Sequence, residues 1–445
     1  MRLYDRGSRQ AACPSPSSLS LSAQMLRALR PAAAGCRRLS RRRCTRCAVS
    51  EPAAPPLPAS LPRSVDGRVS LLGLRRSALA GWLGEMGEAP SRAPQLFAEL
   101  YRNAAGDDLQ AFTAVSASFR ARLAPLVDCR ADLRLSEVVA AADGTRKLLF
   151  TLTDGGGTVE AVLIPARNGS RTTLCVSSQL GCAMNCQFCA TARMGLRRNL
   201  SAAQIVGQVL AAKRLLLSER GGASIGNVVF MGMGEPLHNA DEVLTAVDIL
   251  LDNTGLAFSH NRVTVSTSGL VPAIRRFVTE SSASLAVSLN ATTDEVRSWI
   301  MPVNRKHDLA ELLGTLRELY GSEVAPPHRR RDSVFFEYVL LQGVNDSDDD
   351  AHRLVEIARS GIPCKVNLIS FNAHQGTQFK PSSQARLLFF RDTLAKAGVT
   401  ATIRESRGDD QMAACGQLGK PEEAALWKPQ PPRMKPPARL RETEQ

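Results

Sequence analysis

Six short β-rich runs recur between Leu174 and Ser370, and longer segments of helical periodicity separate and follow them. The runs are Leu174 to Ser177, Asn227 to Met231, Arg262 to Thr267, Ser284 to Leu289, Val334 to Leu341 and Lys365 to Ser370. The helical segments include Ala202 to Leu217, Glu242 to Leu251, Asp308 to Leu319 and Leu387 to Ala397. Strands that alternate with helices in this way pair parallel, because the chain needs a crossover to return to the same edge of the sheet. Both faces of such a sheet are covered, so its strands are near-continuously apolar. The fold class is therefore α/β, and chemistry is expected at the carboxyl ends of the strands.

Ahead of this core, Leu71, Leu72, Leu74, Leu79, Trp82 and Leu83, and then Leu96, Phe97, Leu100 and Tyr101, recur at helical spacing, as do Leu109, Phe112, Phe119 and Leu123. They predict a small N-terminal helical accessory domain over residues 65–127. Lys147 to Pro165 alternates apolar and polar residues around Asp154-Gly155-Gly156-Gly157, which predicts a β-hairpin extension over residues 128–168, with the core spanning 169–419. Residues 420–445 are rich in proline and charge and read as a disordered tail.

The net charge is +14, but residues 1–64 hold twelve arginines, no lysine, and only Asp5 and Glu51 as acids, which is +10. That Arg-, Ser- and Ala-rich segment reads as an organellar transit peptide for a chloroplast rather than a mitochondrion, with processing near Cys47 or Ala48 and a Pro-rich linker from Glu51 to Pro62. A basic arm that stays on the protein and touches RNA is the alternative. The rest of the chain must then meet nucleic acid through local patches. Candidates are Arg197-Arg198, Arg275-Arg276, Arg305-Lys306 and His328-Arg329-Arg330-Arg331, each of which also reads as a solvated loop. No apolar run approaches the roughly 18 residues that would span a bilayer, so no membrane partner is expected.

Of eleven cysteines, Cys182, Cys186 and Cys189 stand together in Gly-Cys-Ala-Met-Asn-Cys-Gln-Phe-Cys. A protein-saturated cubane cluster takes four cysteines, so a set of three suggests a [4Fe-4S] cluster with one iron left open for S-adenosylmethionine (SAM). Structural zinc is the alternative. It needs a closed tetrahedral set, which Cys175 or Cys364 would complete, and its usual signature is paired Cys-x2-Cys. Cys129 and Cys364 read as inert, and a chain of this size without a secretory signal does not suggest a disulfide framework.

The cysteine loop is preceded by Thr173-Leu174-Cys175-Val176-Ser177-Ser178-Gln179. Met231-Gly232-Met233-Gly234-Glu235-Pro236-Leu237 follows it, and Arg407-Gly408-Asp409-Asp410 with Ala413-Ala414-Cys415-Gly416-Gln417-Leu418 lies near the end. In this order and from about Val69 to Lys420, the chain resembles the radical-SAM adenosine-C2 RNA methyltransferases. The resemblance implies a partial (β/α)6 barrel and a cluster held by Cys182, Cys186 and Cys189. It implies SAM contacts at Gly234, Glu235, Ser266, Ser288, Leu289, Asn290 and Asn372. Asn290 departs from the histidine of bacterial members, although an amide still offers a donor and an acceptor. Taken alone, Gly-x-Gly-Glu-Pro and the Ser and Asn residues at strand ends would be ordinary turn formers.

The resemblance also implies a mechanism with two SAM molecules. The first methylates the cysteine corresponding to Cys415; the second, cleaved reductively, yields a radical that takes hydrogen from the S-methyl group, and the carbon adds to C2 of adenine. Cys175 then resolves the protein–RNA thioether through a transient disulfide with Cys415, and Glu160 accepts a proton. A short insertion at Asn168-Gly169-Ser170 alters the spacing from Glu160 to Cys175. The implied partners are 23S-type ribosomal RNA, tRNA, and an electron donor such as flavodoxin or ferredoxin, with the enzyme a monomer. Two rivals stand: a C8-adenosine methyltransferase of the sister group, and a non-enzymatic iron–sulfur or zinc RNA-binding assembly factor.

Overall fold

The structure, a computed structural model, describes residues 61–102, 107–166, 171–219, 223–321, 332–419, 434–437 and 440. Most of the leader, the Asn168–Ser170 insertion and the His328–Arg331 cluster lie outside the described residues. Leu61 to Ser64 do not: Leu61 packs on the core, Arg63 bridges to Val69 and Ser64 is buried, so the fold begins a few residues before the expected boundary at 65.

Three helices, α1 (Arg76–Glu85), α2 (Arg92–Phe97) and α3 (Ala117–Leu123), form the N-terminal unit. All the apolar residues that suggested it are buried, and the Tyr101 hydroxyl donates to Leu72 O at 3.1 Å. Arg75 and Arg76 tie the unit to the core through Asp248 and Asp252, each at 2.7 Å.

A ten-stranded sheet follows: β1 (Leu133–Ala140), β2 (Arg146–Leu152), β3 (Thr158–Pro165), β4 (Arg171–Cys175), β5 (Ser224–Phe230), β6 (Val263–Thr267), β7 (Ser284–Ser288), β8 (Val334–Leu340), β9 (Cys364–Ser370) and β10 (Ala401–Arg404). Neighbours in the sheet are neighbours in the chain throughout. β4 to β10 run parallel, while β1, β2 and β3 continue the sheet antiparallel. The fold is thus α/β with a mixed sheet. Two features differ from expectation. The extension is a three-stranded meander, because β1 also joins; most of its positions are solvent-facing, and its alternating stretch, Leu133-Arg134-Leu135-Ser136, is short. The parallel part has a seventh strand, β10, only four residues long.

Helices α4 (Ala190–Arg193), α5 (Ala202–Ser218), α6 (Ala240–Leu251), α7 (Val271–Glu280), α8 (Asp294–Ile300), α9 (Leu309–Tyr320), α10 (Asp348–Ala358) and α11 (Gln384–Lys396) fill the connections. α5 starts at a capping box between Ser201 and Gln204, and α10 at one between Ser347 and Asp350, so each satisfies its first orphan amides locally. α5 buries Ile205, Val206, Val209 and Leu210 against the sheet. The six strand–helix crossovers from β4 to β10 leave the carboxyl ends of seven parallel strands side by side. Within the tail, Met434 is held rather than loose: its N–H donates to Gln187 Oε1 at 3.0 Å and its carbonyl accepts from Trp299 Nε1 at 2.9 Å.

Candidate active site

The loop leaving β4 is shaped by residues with left-handed backbone. Gly181 has φ +73, and a Cβ there would meet Gly195 O at 1.8 Å, so only glycine fits. Asn185 takes φ +52 between two of the cysteines. Cys182 N–H donates to Gly195 O at 3.1 Å, Cys189 N–H to Cys186 O at 3.1 Å and Gln187 N–H to Ile300 O at 2.9 Å. The three cysteines thereby line one cavity of about 140 Å³ at the strand ends, together with Gly234, Glu235, Ser266, Ser288, Asn290 and Cys415.

Burial pushes the thiol pKa of Cys182, Cys186 and Cys189 up. A cationic group would offset that penalty and hold them as thiolates. Among the described residues no three His, Cys, Asp or Glu side chains converge where a single metal ion could sit. Three soft thiol ligands that ring a cavity instead suit a polynuclear iron–sulfur group, so the donor set fits a [4Fe-4S] cluster.

The turn after β5 also needs glycine: Gly234 has φ +104, and its Cβ would stand 2.6 Å from Gln179 Cβ. The Glu235 carboxylate accepts from Leu237 N–H at 3.1 Å and from Ser268 N–H at 2.7 Å, and so braces the ends of β5 and β6. Burial raises its pKa and these amide bonds pull the other way. Asn290 occupies a left-handed position, φ +55, that Asn tolerates better than most residues. Its Oδ1 accepts from Val339 N–H at 2.9 Å and its main-chain carbonyl from Asn345 Nδ2 at 2.7 Å. Two expected SAM contacts are placed differently. Leu289 is fully buried and does not line the cavity; its carbonyl accepts from Arg297 Nε at 3.0 Å. Asn372 lines a second cavity, and its Nδ2 donates to Cys415 O at 3.1 Å, so it fastens the Cys415 loop.

That second cavity, about 520 Å³, is bordered by Cys175, Met231, Arg404, Arg407 and Cys415. Cys415 thus borders both cavities, and Cys175 faces it across the second. Burial pushes the Cys175 thiol up to about 12, with the Cys415 charge adding to the rise and Arg404 opposing it. Cys415 is an exposed residue at the cavity border, yet the protein packed around its sulfur raises the thiol pKa and Arg404 pulls it down. Arg404 Nη1 is 3.1 Å from Glu337 Oε2 and 3.4 Å from Met231 Sδ. Neither Arg404 nor Glu337 was visible as a site residue, since Glu337 sits inside a strand pattern and Arg404 ends the short β10, which no apolar run marks.

Glu160 lies on β3 and is buried; its Oε2 accepts from Gly419 N–H at 3.1 Å and stands 4.0 Å from Lys147 Nζ. It anchors the far end of the Cys415 loop and is not among the residues lining either cavity. The near end is clasped by the β1–β2 turn: Asp143 Oδ2 accepts from Gly408 N–H at 3.1 Å, and Ala142 N–H donates to Asp410 Oδ2 at 3.1 Å. Thr191 Oγ1 donates to Leu418 O at 2.6 Å, and Ala190 N–H to Gly416 O at 2.7 Å, joining the loop to the cysteine loop.

Of the basic pairs, Arg275 is engaged by Glu318, and Arg276 by Glu280 and Asp241. Arg198 pairs with Asp154. Arg305 and Lys306 are exposed.

Residues 176–355 match the radical SAM superfamily model. The chain is 44% identical over 381 residues to the dual-specificity RNA methyltransferase RlmN 2 of Myxococcus xanthus, covering 83% of this chain and 95% of that protein. It is 45% identical over 343 residues to RlmN of Syntrophobacter fumaroxidans, covering 76% and 95%. The crystal structure of a radical SAM methyltransferase from Sphaerobacter thermophilus superposes with a TM-score of 0.70 at 41% identity, covering 78% of this chain and 98% of that one. Identity of this order over nearly the whole length of these relatives, with the cysteine loop at the carboxyl ends of a parallel sheet, places the chain in the RlmN family of radical SAM RNA methyltransferases.

Proposed function

We propose that this enzyme methylates C2 of an adenosine in 23S-type ribosomal RNA and in tRNA, with Cys415 carrying the methyl-derived carbon and Cys175 releasing the product. Family membership implies a [4Fe-4S] cluster and SAM, which when bound supply the methyl group and one-electron chemistry. The observation that carries the reading is the place of Cys415 on the border of two cavities. One cavity holds the three cluster cysteines and the Gly234–Glu235 turn; the other has room for a base flipped out of the RNA. A thiol on that border can take up a methyl group on one side and meet adenine on the other. Arg404 favours the thiolates of both cysteines against burial, as nucleophilic attack requires. Once a thioether joins Cys415 to the base, attack by the Cys175 thiolate on the Cys415 sulfur forms a disulfide and expels the methylated base as a carbanion that must be protonated. An external thiol then restores the pair.

The leader supports delivery to plastids, and an acidic electron carrier such as flavodoxin or ferredoxin is the proposed reductant. The deciding experiment is a denaturing gel of reaction mixtures with RNA. Cys175→Ala should accumulate a slow-migrating covalent protein–RNA species, and Cys415→Ala should give neither adduct nor product; full turnover by either variant would refute these roles. Mass-spectrometric identification of 2-methyladenosine supports the C2 reading, and 8-methyladenosine would transfer the assignment to the sister chemistry.

A further inference from the structure

Arg297, on α8, is the largest side chain with no solvent exposure at all. A guanidinium keeps its charge in proteins, and buried charges are ordinarily paired. Yet every hydrogen bond of this one goes to a neutral acceptor. Nε donates to Leu289 O at 3.0 Å, Nη2 to Ser268 O at 2.7 Å and Ser288 O at 3.1 Å, and Nη1 to Asn304 Oδ1 at 2.8 Å. Asp294 is one residue removed: its carboxylate accepts from Asn304 Nδ2 at 2.8 Å and Leu309 N–H at 2.9 Å. Ser268 and Ser288, whose carbonyls Arg297 holds, line the cavity of Cys182, Cys186 and Cys189, and Cys186 packs against the apolar cluster that contains Val296 and Ile300 of the same helix. A buried cation with only a remote carboxylate indicates an anion nearby, and the three cysteines of that cavity supply it when they hold their group as thiolates.

We infer that Arg297 is a positioning residue whose cation is the fixed counter-charge of the cluster bound by Cys182, Cys186 and Cys189, while its fan of bonds holds the carbonyls at the ends of β6 and β7. The inference rests on the cluster reading above. Each electron added makes the site more negative, so a fixed cation beside it favours the reduced form and raises the reduction potential. At this depth bulk solvent screens the charge little.

The test uses the full chain reconstituted with iron and sulfide, with iron content, thermal melting, and a redox titration followed by the paramagnetic signal of the reduced cluster. Arg297→Gln should keep its iron and lower the ratio of reduced to oxidised cluster at a fixed poise about tenfold, equivalent to about 59 mV for a one-electron couple. Arg297→Lys, which keeps the charge but loses the planar fan, should stay near wild type. Asp294→Asn removes the remote negative charge and keeps its acceptor oxygen, so the ratio should rise; it carries the test alone if Arg297→Gln does not fold. Equal shifts in the Gln and Lys variants, loss of iron from both, or an unchanged or lower ratio in Asp294→Asn would overturn the inference. Wild-type protein that takes up no iron would instead overturn the cluster reading itself.

Discussion

At the scale of single residues, the site depends on backbone conformations that few side chains permit. Gly234 combines φ +104 with a Cβ position 2.6 Å from Gln179. Gly234→Ala should therefore cost about 1–3 kcal/mol, lowering the melting temperature and abolishing SAM binding in equilibrium dialysis; unchanged SAM affinity would contradict the placement of this turn. Arg404 gives a prediction with a definite sign. Its charge lowers the pKa of Cys415 while Glu337 raises it. Arg404→Met removes that pull, so the pH midpoint for alkylation of Cys415 by iodoacetamide should move up by about one unit. Glu337→Gln should move it down, and the same direction in both variants would rule out this electrostatic account. Cys182, Cys186 and Cys189 are legible in sequence because their chemistry is written in local spacing, and Cys415 only through the resemblance of its flanking motif to the family's. Arg404, Glu337 and Arg297 are not, because their meaning comes from what the fold brings against them from other strands and helices.

At the scale of elements, the six strands and the four major helices predicted from periodicity stand within a few residues of their expected bounds. Buried parallel strands announce themselves as apolar runs. β1 faces mostly solvent and β10 is four residues long, so neither carries such a run, and both are fixed by pairing with a neighbour. The turn that β1 creates clasps the Cys415 loop. Burial alone would raise the pKa of Asp143, but the amides of Thr145 and Gly408 and the Arg407 charge hold it below the usual carboxylate value. Asp143→Ala should remove an exposed, solvent-screened anchor of about 1 kcal/mol. Trypsin should then cut at Arg407 faster than in wild type, with methylation reduced and the melting curve little changed. Protection equal to wild type would show that the clasp does not hold the loop.

For the whole molecule, buried thiols set the alkaline limit of stability. Burial pushes both Cys129 and Cys175 up to about 12, whereas in the unfolded chain they ionise near the ordinary thiol value of about 8.5. Their folded pKa is raised, so their contribution is complete below about pH 8.5 and is lost as pH rises toward about 12, by up to about 1.4 kcal/mol per pH unit for each thiol. The urea midpoint should fall between pH 8 and pH 10, and Cys129→Ala should flatten that decline; an identical slope in the variant would show that Cys129 does not titrate as its burial requires.

The order of strands in the sheet has a consequence for how the chain is made. Each strand lies beside the one synthesised just before it, so every new segment leaving the ribosome meets its partner already exposed as a growing edge, and no strand waits for a distant one. The exception is the Cys415 loop, late in the sheet's sequence, which reaches back to Asp143 in the β1–β2 turn and to Glu160 on β3. A nascent chain can thus assemble its sheet and its cysteine loop first, and the site stays open until the Cys415 loop follows and closes against strands already in place.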